Sequence, residues 1–173
     1  DMSKINLILI LLIVLSACSK QEIKTATIKE TKQDLEMITA YREAYKAIDD
    51  GDPFFAAKKF LDAELLFPQS EWAPKSALMA SYAYYSQDYY NDAIAELERF
   101  IKIYPKNINI DYAYYLLANS YYETIIDEKK DLESIIEARK NFTILINNFP
   151  NTEYALDAEF KIDLINDTLA SKE

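Results

Sequence analysis

The chain has 173 residues, half of them hydrophobic, with 19 Lys and Arg against 29 Asp and Glu, no His, one Gly and one Cys. A net charge of −10 argues against a nucleic-acid partner, which needs a basic face to neutralise phosphates, and reads as a solubility device. The lone glycine excludes Gly-rich phosphate loops, and without His there is no Ser/His or Cys/His pair and no zinc cluster, so the composition argues for a non-enzymatic protein with one core-forming domain.

The first element is apolar. Lys4 precedes a run whose unbroken part, Leu7 to Leu15, is nine residues long, about 14 Å as a helix against a hydrocarbon core of about 30 Å. A positive start, a short apolar stretch and small residues before a cut site describe a secretory signal peptide, here residues 1–17. Leu15-Ser16-Ala17-Cys18 resembles the bacterial lipobox, where cleavage leaves the cysteine first and lipid is attached to it. The alternative is an incidental cysteine in an ordinary signal or anchor; against it, the only cysteine falls where a lipobox requires it. A covalent lipid on Cys18 is the one non-protein group expected, with no metal and no cofactor. One acyl chain anchors only marginally, and lipoproteins of this type carry several. Ser19 stands where the inner-membrane retention residue, Asp, would be, which implies sorting to the outer membrane, anchored by lipid and facing the periplasm. Residues 18–34 are polar and without apolar periodicity, a flexible tether.

From residue 35 to 173 the pattern is helical. Ile94, Leu97, Phe100, Ile101 and Tyr104 share one face, as do Ile135, Ala138, Phe142, Leu145, Ile146 and Phe149. The predicted helices are 35–50, 54–67, 72–87, 90–104, 110–126, 133–149 and 153–170. Asp49-Asp50-Gly51-Asp52 lacks the alternating ligand spacing of a calcium loop and reads as a helix end and turn. Between helices a seam recurs: Phe67-Pro68-Gln69-Ser70-Glu71-Trp72-Ala73 returns as Phe149-Pro150-Asn151-Thr152-Glu153-Tyr154-Ala155, with a shorter Tyr104-Pro105-Lys106-Asn107 between. Proline cannot continue a helix, and Ser70 and Thr152 are good N-caps, so each seam is a stop and a restart.

Pro68, Pro105 and Pro150 lie 37 and 45 apart, near the period of about 34 of tetratricopeptide repeats. Twelve residues before each stands an alanine (Ala56, Ala93, Ala138), and eight before each a large residue (Phe60, Leu97, Phe142). The extra length of the third unit falls around 127–132 as an insertion. The fold class is all-α, a solenoid of antiparallel helix pairs with about three and a half repeats. Such an array needs a polar terminal cap; the last helix, with Tyr154, Ala158, Ile162 and Ile165 on one side, is expected to be one.

A lipobox, a polar tether and repeats with Phe-Pro-x-Ser/Thr-Glu-aromatic-Ala seams together resemble the BamD family, lipoproteins of the outer-membrane β-barrel assembly machinery. The segments that carry this are Ala73–Tyr85, Arg99–Pro105, Asn109–Tyr115 and Asn148–Ala158, within roughly residues 37–170. The resemblance implies as partners the barrel-forming subunit, other lipoproteins of the complex, unfolded outer-membrane proteins and outer-membrane lipid. Members usually carry more repeats than these; the C-terminal ones dock on the barrel-forming subunit, and the N-terminal ones, which this chain matches, are associated with unfolded substrates. A pilotin-like lipoprotein for a pilus or secretin is the second reading, and an envelope hydrolase the third, although no carboxylate pair stands out as acid and base.

First helices line the inner face of such solenoids, and eight of fourteen tyrosines (82, 84, 85, 112, 114, 115, 121, 122) lie on those of units two and three. Tyrosine offers area for an extended peptide at low entropic cost; inter-helix packing is the competing role. The candidate groove is Phe67, Ser70, Trp72, Tyr84, Tyr85 and Tyr115.

Overall fold

Proline, one glycine and a handful of capping side chains cut the chain into helices of 14 to 18 residues. The structure, a computed structural model, describes residues 32–127 and 132–170; the signal peptide, Cys18 and nearly all of the tether lie outside them. Among the described residues there are seven helices and no strand: α1 (Lys32–Asp49), α2 (Pro53–Leu66), α3 (Trp72–Tyr85), α4 (Tyr90–Ile103), α5 (Ile110–Asp127), α6 (Leu132–Asn148) and α7 (Glu153–Ala170).

These bounds meet the sequence expectation to within a few residues. At the start, helix replaces the last residues of the expected tether. Asp34 lies in the first turn of α1, where a carboxylate meets the positive end of the helix, and Lys32 pairs with Glu36 one turn on at 3.7 Å. The extra length of the third unit goes mostly into helix, since α5 has 18 residues and α6 has 17, against 14 each in α3 and α4. Of the expected insertion loop, 128–131 lie outside the described residues.

The Asp49–Asp52 cluster is the α1–α2 turn. Gly51 takes a φ of 77°, a left-handed conformation open to glycine without strain. The carboxylate of Asp52 accepts the Phe55 N–H at 3.0 Å, and Pro53 follows as the first helical residue, where its missing N–H costs nothing.

Consecutive helices pack side by side, and α3 also meets α5, which in turn meets α7. First helices therefore stack on first helices. The repeat register holds in the core: Ala56, Ala93 and Ala138 are fully buried, as are Phe60, Leu97 and Phe142. Alanine lets the paired helices approach, and the large residue one turn later fills the space between units.

Second helices are joined by polar contacts. Arg99 of α4 reaches Glu64 of α2 with two parallel bonds, Nη1 to Oε1 at 3.2 Å and Nη2 to Oε2 at 2.7 Å, while its Nε donates to Glu96 at 2.8 Å. The Tyr104 hydroxyl donates to Glu64 as well, at 2.5 Å. Among the described residues no buried side-chain nitrogen or oxygen lacks a partner.

One expectation is overturned. The outer side of α7 is no polar cap, for Leu156, Phe160 and Leu164 are 67, 63 and 39 % exposed there. At intervals of four they fall on one stripe, opposite the buried Ile165 and Ala158.

Candidate functional site

The three seams share one backbone pattern. Ser70, Asn107 and Thr152 each donate their N–H to the carbonyl of the aromatic residue three before, Phe67, Tyr104 and Phe149, at 3.1, 3.0 and 3.2 Å. Their own carbonyls then accept from Ala73, Ile110 and Ala155. Asn107 thus fills the place that Ser70 and Thr152 hold in the other copies. The Thr152 hydroxyl caps α7 through the Ala155 N–H at 3.2 Å. Ser70 acts one residue further out, accepting the Trp72 N–H at 3.2 Å.

The seams part company two residues later, at Trp72, Asn109 and Tyr154. Trp72 meets the Tyr41 ring of α1 edge-on at 5.6 Å, and Tyr154 stacks on the Tyr115 ring of α5 at 4.8 Å. In both places an aromatic at the start of one first helix fills the gap beside the preceding first helix. Between α3 and α5 the equivalent pair is Leu78 and Asn109, and the gap stays open. It is a cleft of two adjoining lobes of about 410 Å³ each. Trp72, Glu71, Pro74, Asn107 and Ile108 line one lobe; Leu78, Met79, Tyr82 and Tyr112 line the other. Lys75 and Asn109 border both. The walls are mainly apolar, and Lys75, with its ammonium over the Trp72 ring at 4.8 Å, is the cation on the rim.

Of the six groove candidates, Trp72 lines this cleft. Phe67 packs on the buried Met37, Ala40 and Ala63, where α1 meets α2. Ser70 is occupied by its seam bonds. Tyr84 turns towards the second helices and meets Phe54 of α2 at 5.2 Å. Tyr85 packs edge-on with Tyr90 at 5.8 Å. Tyr115, besides its stacking on Tyr154, donates to the Asp157 carboxylate at 3.0 Å. Tyr82 and Tyr112, two of the eight first-helix tyrosines left out of the six, line the cleft as well. The informative signal was the middle seam, which lacks the aromatic its two sister copies carry.

The tyrosines also set an alkaline limit. Burial is the first cause that lifts Tyr104, Tyr112 and Tyr115 up to about 12. Hydrogen bonds to Glu64 and Asp157 add to it at Tyr104 and Tyr115. Burial lifts Tyr41, Tyr84, Tyr85, Tyr90, Tyr121 and Tyr154 as well. A group that holds its proton more tightly folded than unfolded contributes stability that is complete below the unfolded value, about 10 for tyrosine, and is lost as pH rises through the folded value. Denaturant midpoints should therefore hold steady from neutrality to about pH 9 and fall between about 10 and 12. The fall should track tyrosinate absorbance; a midpoint unchanged to pH 12 would refute it.

Among the described residues no group of three or more His, Cys, Asp or Glu could hold a metal ion, and no helix is long and apolar enough to cross a membrane. The family model of YfiO, outer membrane lipoprotein, matches residues 33–173. A protein of Caulobacter vibrioides named outer membrane protein assembly factor BamD is 37 % identical over 150 residues, covering 87 % of this chain and 48 % of its own. Its namesake in Rickettsia prowazekii is 39 % identical over 135 residues, 78 % of this chain and 54 % of that one. The Neisseria gonorrhoeae protein of the same name is 32 % identical over 182 residues, 99 % and 68 % of the two chains. The chain spans about half the length of the first two relatives.

Proposed function

The chain belongs to the YfiO family of outer membrane lipoproteins, and from that premise we propose that it is a non-enzymatic scaffold of outer-membrane protein assembly which holds an extended segment of an unfolded barrel protein in the α3–α5 cleft. In this reading it is anchored by lipid on Cys18, faces the periplasm and works beside the barrel-forming subunit and other lipoproteins of the complex. The relatives' names support the assembly role.

The observation that carries the binding reading is the open middle gap. The chain fills the equivalent gaps on either side with its own aromatic rings, Trp72 and Tyr154, and leaves this one to another chain. An apolar or aromatic side chain of an extended C-terminal strand fits there, with Lys75 beside it to meet a carboxylate. Few polar bonds are on offer, so binding is weak and release is fast, as a relay requires.

Filling the cleft from within tests this. Asn109→Tyr gives the middle seam the ring its sister copies have. It should raise stability by about 0.5–2 kcal/mol, the usual gain on filling a cavity. A photo-crosslinker at position 72 should capture an unfolded barrel protein in the parent chain and lose most of that capture in the Asn109→Tyr variant. Undiminished capture in the filled variant, or capture only from positions on the second helices, would falsify the assignment.

A further inference from the structure

Resting on the reading of the α3–α5 cleft as a peptide groove, we propose that Ile108 is its lip, the residue that makes the outer lobe select an apolar side chain beside a carboxylate. Counting from the seam prolines, Ile108 stands where the other two seams carry Glu71 and Glu153. The backbone around it is held as in the first seam. Asn107 Oδ1 accepts the Asn109 N–H at 2.9 Å, just as Ser70 Oγ accepts the Trp72 N–H at 3.2 Å. The middle seam thus keeps the turn and changes the side chain. The change brings the fold nothing. A glutamate beside a helix N-terminus is favoured by the helix dipole, whereas Ile108 is 89 % exposed, more than any other large apolar side chain among the described residues.

A ligand in the cleft gives that side chain its use. Ile108 and Trp72 line the same lobe, so an apolar side chain entering between them covers both. Ile108 then loses on binding the water contact that folding leaves it, which favours the complex about tenfold or more. The exchange also moves charge. Over the seven seam residues the middle copy has one lysine, Lys106, and no acid, whereas each sister copy has one glutamate and no cation. In the lobe itself Glu71 is the acid and Lys75 the cation. A glutamate at position 108 would set two acids against one lysine and repel an anionic ligand. Isoleucine there leaves Lys75 able to meet a carboxylate, on a chain whose net charge is −10. The ligand class that fits is an extended peptide ending in an apolar residue, its terminal carboxylate beside Lys75.

The test uses the full chain and a short fluorescein-labelled peptide of alternating threonine and leucine that ends in leucine with a free carboxylate. Two twins accompany it, one amidated at its C-terminus and one ending in serine. Anisotropy should show the parent chain binding the first peptide, with each twin about tenfold or more weaker. Ile108→Glu, which restores the residue of the sister seams, should weaken the first peptide about tenfold or more and leave the denaturant midpoint unchanged or slightly raised. Ile108→Ser should narrow the lead of the first peptide over the serine-ended twin and keep the preference for the free acid over the amide. Ile108→Val should retain most of the affinity. Equal binding by the parent chain and Ile108→Glu overturns the lip and leaves the cleft reading standing. Equal binding of the amidated twin overturns the selection for a carboxylate. No binding by the parent, or equal binding by the parent and Asn109→Tyr, overturns the cleft reading and the lip with it.

Discussion

Replacing Phe142 by alanine should cost about 3–5 kcal/mol and lower the melting temperature by roughly 8–15 °C. Its ring is fully buried in a cluster that joins α5, α6 and α7 through Ala118, Ile135, Leu145, Ala158 and Ile165. Tyr122 meets it edge-on at 6.4 Å. Alanine removes that area and leaves a hole that rigid helices fill poorly. Domains of this size hold only about 5–15 kcal/mol in all, so the loss takes a large part of the margin. In an array where each unit touches only its neighbours, the damage should stay local. Hydrogen exchange should show α5 to α7 losing protection while α1 to α3 keep theirs. Equal loss along the whole chain would mean that the units do not behave as separable repeats.

Arg99→Ala should be the second costly change, at about 2–3 kcal/mol. The Glu64 side chain is only 10 % exposed and takes three bonds, two from Arg99 and one from Tyr104. Without the guanidinium its carboxylate keeps one bond and stays buried, which costs more than the pair gains when intact. The figure stands below the usual cost of breaking a fully buried pair because Arg99 is 33 % exposed. Replacing both partners by apolar residues of similar shape, Arg99→Met with Glu64→Leu, should recover most of the loss. Chemical denaturation of the two singles and the double closes the cycle. A double variant as unstable as the sum of the singles would show that the charges themselves, and not the orphaned carboxylate, carry the effect.

The helices were legible because their signals are local. Pro68, Pro105 and Pro150 stop a helix whatever surrounds them, and the alanine and large residue counted back from each fall in the core because a helical period puts them on one face. Even Gly51 and Asp52 act within a single turn. Tyrosines were harder to read. Tyr84, Tyr85 and Tyr115 look alike in sequence, yet one meets α2, one packs on Tyr90 and one stacks on α7. Which neighbour a ring finds depends on how successive helices are set side by side.

The sequence by itself determined the all-helical repeat, its register and its family, since periodicity, proline spacing and seam residues are properties of the chain read in one dimension. The cleft was decided only by tertiary structure. Asn109 is an ordinary polar residue until Trp72 and Tyr154 are seen filling the equivalent gaps. An empty site is defined by what surrounds it, and those surroundings come from helices far apart in sequence.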